Sequence, residues 1–320
     1  MTSRRAALAM LCLAPLAARA QQKVWRIGFF VLGTPLTHGA HFEAFRRRLR
    51  ELGYAEGKNA RFEPRWAGGK AEELSRLAAG LVKWSPDVIL VSGNAAIRAA
   101  QQATASIPLV MASSNDPVEQ GFVKSHAQPG GNLTGIDNMA SDTSTKLVEL
   151  ARAVAPGASR AAVLRASNRA QRTMYDRIEA AAKHTKLALV PVIAASIAEA
   201  ESGLAGIKGK VEVLIVMNDS LFFANRPKLA EVVTRTGLPS VFARSEHVEV
   251  GGLISYSSSL IEQYRRAATY IDRILKGARP GDLAIERPTV FELVVNLKTA
   301  KALGIRIPKS LLQRADRVIE

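Results

Sequence analysis

Short apolar runs alternate with amphipathic stretches along almost the whole chain, and the alternation starts twice. That rhythm restricts the fold more than any other feature of the sequence. Residues 24–31, 60–66, 88–91, 109–111 and 133–136 read as strands. Between them, 38–52, 70–83 and 94–102 read as helices; Phe42, Phe45 and Leu49 share one face of the first. After a polar interval the pattern resumes, with strands at 161–164, 188–193, 213–217, 240–242 and 253–256 and helices at 172–185, up to Leu204, and at 227–236. A long helix follows at 259–276, its apolar stripe made by Leu260, Tyr264, Ala268 and Ile271, and a final strand and helix occupy 293–295 and 297–303. Strands that alternate with helices form parallel sheets covered on both faces, joined by right-handed crossovers. The expectation is an α/β protein of two Rossmann-like lobes.

The first twenty residues have the layout of a secretory signal peptide. Arg4 and Arg5 are the basic region, residues 6–17 the apolar run, and Ala18-Arg19-Ala20 a small-x-small cleavage site. The run is too short for an ordinary membrane-spanning helix. A buried N-terminal helix is the alternative, but no polar face interrupts the run. The mature chain is expected to start near Gln21 and to fold in the periplasm. The only cysteine, Cys12, lies in the removed segment, so no disulfide or thiol chemistry is expected. Leu11 precedes Cys12, where a lipidation signal needs a small residue.

The formal charge is +16, and +13 without Arg4, Arg5 and Arg19. Apart from Arg46-Arg47-Arg48 the basic residues are dispersed, which favours a solvated surface or an anionic membrane face over nucleic acid. Catalytic motifs are missing: the sequence has no Gly-x-Ser-x-Gly elbow and no Walker loop. Of the five histidines, His38 and His41 are three apart near a helix start, but no carboxylate completes a metal-ligand motif nearby, and no cofactor or metal is expected.

In open parallel sheets, ligands bind beyond the carboxyl ends of the strands. The turns there hold the candidate ligand-binding residues: Gly33 and Thr34; Ser92, Gly93 and Asn94; Ser113, Asn115 and Asp116; Ser167 and Asn168; Asn218 and Asp219; Arg244 and Glu246. Ser92-Gly93-Asn94 opens a helix, so its backbone N–H groups suit a carboxylate; Ser and Asn are also preferred helix caps. Asp116, Asp219 and Glu246 suit an ammonium. Asp116 equally suits an Asx turn before Pro117, and Asp219 a helix start. If the two halves face each other, these turns converge on one cleft that closes about a hinge.

Several blocks resemble the ABC-transporter substrate-binding proteins related to the tryptophan/tyrosine-type periplasmic binding proteins. They are Leu52-Gly53-Tyr54-x-Glu56-Gly57-Lys58-Asn59, Asn115-Asp116-Pro117-Val118, Pro129-Gly130-Gly131-Asn132-Leu133-Thr134-Gly135 and Gly251-Gly252-Leu253-Ile254-Ser255-Tyr256. Arg265 to Tyr270 with Lys276-Gly277-Ala278, Phe291 to Lys301, and Ile307-Pro308 continue the match in order. The resemblance implies a type 1 periplasmic binding protein architecture with three hinge crossings, near 136–141, 256–260 and 281–291. It divides the chain into a signal peptide (1–20), one lobe (21–138 with 259–280) and a second (139–258 with 281–320).

The same resemblance implies the solute-binding component of an ABC importer. Such a component clamps a small ligand, an amino acid or another small carboxylate, and delivers it to an inner-membrane permease. The chain is then not an enzyme, and a monomer is expected. A periplasmic ligand-binding sensor of the same fold is the alternative. The chain departs from its relatives after the strand near Leu164, where Arg165-Ala166-Ser167-Asn168-Arg169 replaces an Asn-Pro turn. Arg165 or Arg169 then either reaches the cleft and favours a carboxylate or faces solvent.

Overall fold

The computed structural model describes residues 23–320, so the expected signal peptide lies outside the described residues. The first half runs β1 (Trp25–Val31), α1 (Pro35–Glu51), β2 (Ala60–Trp66), α2 (Leu74–Lys83), β3 (Val88–Ser92), α3 (Asn94–Ala103), β4 (Leu109–Ser114) and β5 (Leu133–Asp137). Then come α4 (Ala140–Val154), β6 (Arg160–Ala166), α5 (Arg169–Lys183), β7 (Ala188–Ala194), α6 (Ile197–Gly206), β8 (Val213–Val216), α7 (Ser220–Ala224), α8 (Arg226–Arg235), β9 (Ser240–Phe242), α9 (Ser245–Glu249) and β10 (Ile254–Ser258). The chain ends with α10 (Leu260–Leu275), β11 (Phe291–Asn296), α11 (Leu297–Ala302), α12 (Lys309–Leu312) and β12 (Arg317–Ile319).

Two sheets result, ordered β2-β1-β3-β4-β5 and β12-β11-β10-β9-β8-β6-β7. The first is parallel throughout. The second is parallel except where β10 meets β11 antiparallel, a departure from the all-parallel expectation. The near-continuous apolar strands are explained by cover on both faces. In β1, Ile27, Phe29 and Val31 enter one core while Phe30 enters the other. In β6, Ala161 and Val163 face one core of the second sheet, and Ala162 and Leu164 the opposite one. Pro64 and Pro191 lie in β2 and β7, edge strands of their sheets, where a missing N–H breaks no central ladder.

The chain passes between the sheets three times, after β5, after β10 and before β11. Met139 takes a left-handed conformation at the first passage. Helix α10 returns to the first sheet and packs on α1, β3, β4 and β5. The segment after it stays there through Glu286: Thr134 Oγ1 donates to Leu283 O at 2.6 Å and Asp137 N to Glu286 O at 3.0 Å. Residues 281–286 thus pack with the first sheet rather than with the second. Among the described residues no helix is long and apolar enough to cross a membrane.

Candidate functional site

The turns at the strand ends are held by their own side chains. Thr34 caps α1: its hydroxyl accepts from Thr37 N at 3.2 Å, and Thr37 Oγ1 accepts from Thr34 N at 3.0 Å. Gly33 lies under the His38 ring, and a methyl group there would overlap the ring and Thr37 Oγ1. Gly93 starts α3 with a φ of 87°, and a Cβ would overlap Ser220 Oγ from the opposite lobe. Only glycine meets both conditions. Asn94 fastens the turn after β4. Its Oδ1 accepts from Asn115 N at 2.9 Å and Ser114 Oγ at 3.1 Å, and its Nδ2 donates to Asn115 O at 2.9 Å.

Across the cleft the lobes bond to each other directly. Asn115 Nδ2 donates to Asn218 O at 3.1 Å, and Asn218 Nδ2 returns a bond to Asn115 Oδ1 at 3.0 Å. Gln171 Nε2 steadies Asn218 O at 2.7 Å. Arg244 Nη2 donates to Ser113 Oγ at 2.9 Å, which also accepts from Asn138 Nδ2 at 3.0 Å. Its Nη1 and Nε reach Ser258 O at 3.3 Å and Asn218 Oδ1 at 3.4 Å. A cavity of about 40 Å³ remains, room for only a few waters. Ser92, Gly93, Asn94, Ser113, Asn115 and Asn138 wall it from the first-lobe side. Asn218, Asp219, Ser220, Phe223 and Arg244 wall it from the second, and Leu32, His38 and Leu260 complete it. Outside lies a mouth of about 610 Å³, reached by Ser167, Asn168 and Arg169.

Burial governs the charges here. Arg244 is 4% exposed, and its hydrogen bonds go to neutral oxygens. Burial alone would raise the Glu246 carboxyl, but the His41 contact at 3.4 Å and the nearby Arg244 hold it down to about 2. Burial pushes Asp219 up, although Leu221 N at 2.8 Å and Asn168 Nδ2 at 3.0 Å stabilise its charge. Burial, with His41 and Arg226 nearby, lowers His38 to about 3. Burial likewise lowers His247 to about 4.

Of the residues expected from sequence, Ser92, Gly93, Asn94, Ser113, Asn115, Asn218, Asp219 and Arg244 meet at the cavity. Ser167 and Asn168 stand at the mouth. Gly33 and Thr34 shape the base under His38, and Glu246 sits behind it against His41. Asp116 is turned away from the cavity. Its φ of 49° carries the carboxylate to Ser141 Oγ, with Arg177 at 4.0 Å, and burial raises its pKa. Asp219 is a helix cap and a cavity residue at once. Arg165 is buried with its guanidinium 5.6 Å from the Tyr175 ring, so only Arg169 opens toward the cleft. Asn138, Ser220, Phe223 and His38 were not expected. Asn138 follows the carboxyl end of β5, and the strand-end rule applied there finds it. Among the described residues, no group of three metal-ligating side chains gathers.

Two sheets that meet across a cleft lined by amide, hydroxyl and guanidinium side chains are the architecture of a solute-binding protein. The chain belongs to the ABC transporter substrate binding protein family, whose model matches residues 37–319. This is a family of solute-binding proteins rather than enzymes, and its members work outside the cytoplasm. The chain is 26% identical over 265 residues to the tyrosine-binding protein of Clostridioides difficile strain R20291, covering 82% of this chain and 76% of the relative. A conserved domain protein from Vibrio cholerae superposes with a TM-score of 0.86 at 26% identity, over 92% of this chain and all of that one. An ABC domain from Streptococcus pneumonia in complex with L-Trp gives 0.85 at 25% identity, over 93% of this chain and all of that one.

Proposed function

We propose that this protein is the solute-binding component of an ABC importer, exported to the periplasm after loss of residues 1–20, and that it carries an amino acid to an inner-membrane permease as a monomer. The observation behind the ligand class is Arg244: a buried guanidinium on the cavity wall, hydrogen-bonded to neutral oxygens. Glu246 is near enough to feel its charge but accepts no hydrogen bond from it, so the guanidinium favours an incoming anion. A ligand carboxylate suits the space between Arg244 and the first-turn N–H groups of α3, which begin at Asn94 because Gly93 N already donates to Ser113 O at 2.9 Å, and α3 adds its dipole there. Asp219 is the carboxylate on the cavity wall and suits the ammonium. The relatives that bind tyrosine and L-Trp support the amino-acid class.

The two units that close are residues 23–138 with 259–286, and 139–258 with 287–320. A ligand larger than a few waters enters only when the Asn115–Asn218 and Arg244–Ser113 bonds open. A thermal-shift series with the amino acids tests this reading on the mature chain. A ligand at 100 times its Kd stabilises by about 2.7 kcal/mol. If no amino acid raises the Tm, the ligand class is wrong.

A further inference from the structure

A separate cavity of about 610 Å³ opens where the chain passes between the sheets. It shares no lining residue with the inner cleft or its mouth. Its wall takes Ile136 from the end of β5, Ser259 from between β10 and α10, and Pro288 to Val290 from before β11. Two cations line it, and both are engaged. Arg266 holds both oxygens of Glu286, at 2.5 and 3.1 Å, and Arg287 pairs with Asp142 of α4. The lining carboxylates Glu262 and Glu292 are less well matched. Glu262 shares Arg265 with Glu51, at 3.4 and 3.7 Å. Glu292 shares Arg317 with Glu249, at 4.0 and 2.8 Å, and the longer distance is its own. Burial pushes the Glu292 carboxyl up, and Asp316, Glu246 and Glu249 push the same way against Arg317. Gln263, 4% exposed, donates to Ser258 Oγ at 2.5 Å, while its Oε1 has no partner among the described residues.

We infer that this cavity is a second binding site, which takes a small organic cation: a primary ammonium on a short aliphatic stem. An ammonium brings three donors to a wall with acceptors to spare, and Glu292 supplies the charge it pairs with. An anion finds both lining guanidiniums already occupied. The stem has its own surface, because Val290 stands 70% exposed at the rim beside Pro288. The whole chain carries +16, which disfavours cations in general, so this stretch of wall reverses the prevailing field. The inference does not depend on what the cleft between the lobes binds.

Pentylamine, n-pentanol and pentanoate share one stem and differ in charge. Titrating the mature protein with each at neutral pH, while following its amide resonances by NMR, separates the outcomes. Pentylamine should shift the amides of Ser259, Thr289 and Val290 saturably and bind about tenfold tighter than pentanol. Pentanoate, which the overall charge favours, should leave those amides in place. In Glu292→Gln the amine should weaken about tenfold while pentanol binds as before. Equal binding of amine and alcohol overturns the inference and leaves only an apolar groove. Amine shifts centred on Asn94 and Ser220 overturn it by placing the cation in the cleft. It also falls if the amine gives no saturable shift, or if its affinity survives Glu292→Gln. The ranking of the three probes in the parent protein needs no substitution, so a variant that fails to fold does not spoil the test.

Discussion

The inner cleft and its outer mouth are made by neighbouring turns, yet their polar groups are held in opposite ways. In the inner cleft, Asn115, Asn138, Asn218 and Arg244 are buried and bonded to one another or to the backbone. At the mouth, Ser167 and Asn168 are exposed, and on the surface beyond its lining Arg177 bridges to Glu119 at 3.1 Å. A buried bond left half-made costs about 1–3 kcal/mol, whereas an exposed ion pair contributes about 0–1 kcal/mol. Closure and affinity should therefore respond to the inner cleft, and the mouth should affect little beyond access.

Arg244→Met should produce the largest effect. Removing a buried charge partner typically costs about 2–5 kcal/mol, so affinity for whichever amino acid raises the Tm should drop by roughly 30-fold or more. Binding within threefold of the parent protein would place the anion elsewhere and erase the contrast between the two regions.

Acid should come next, because it acts on the buried histidines. His38 and His247 are neutral in the fold, lowered to about 3 and about 4 from 6.5. Between those values and 6.5 the unfolded chain binds the extra protons, so stability falls as pH falls. Between pH 7 and pH 5.5 the two together should lose about 2.5 kcal/mol. Glu246, lowered from 4.5 to about 2, adds a further loss below pH 4.5. Asp116 and Asp219, raised by burial, oppose this at the acid end. A chemical denaturation series from pH 7 to pH 4.5 measures the slope, which His247→Phe should flatten. A flat profile in the parent protein would mean these rings are hydrated.

Asn115→Ala should weaken binding about tenfold, the equivalent of one buried amide bond of about 1.4 kcal/mol. Asn168→Ala should change affinity less than threefold, while lowering the Tm slightly through the lost cap on α5. If the two substitutions exchange these ranks, the mouth rather than the inner cleft governs the grip.

The two-sheet α/β plan was legible in the alternation of apolar runs, because each strand is buried on both faces and reads as an uninterrupted stretch. Helix α4 was not. It opens with Ser141, Asp142, Thr143, Ser144 and Thr145, and its apolar face first shows at Leu147. Ser141 and Ser144 are buried nonetheless, Ser144 by bonding its own turn at Ser141 O. The reversed β11 was hidden too, since strand direction leaves no periodic mark in sequence. The strand-end rule brings most of the cavity wall into view. It fails for Asp116, whose aim depends on one left-handed residue, and for His38, which lies inside a helix. The missing side chain at Gly33 makes room for that ring, and the sequence does not record that His38 fills it.

Three passages of chain join the sheets, and they act as three straps on one joint. A single strap permits sliding, twisting and bending alike. Three straps restrict shear more than one does, because sliding one sheet past the other must stretch or reshape all three at once. Rotation about the line of the straps remains soft, since it asks only for small changes in a few dihedrals. If the cleft closes by that rotation, its occupancy would be written as one angle between the two sheets, readable by a partner that touches both outer surfaces without contacting the ligand.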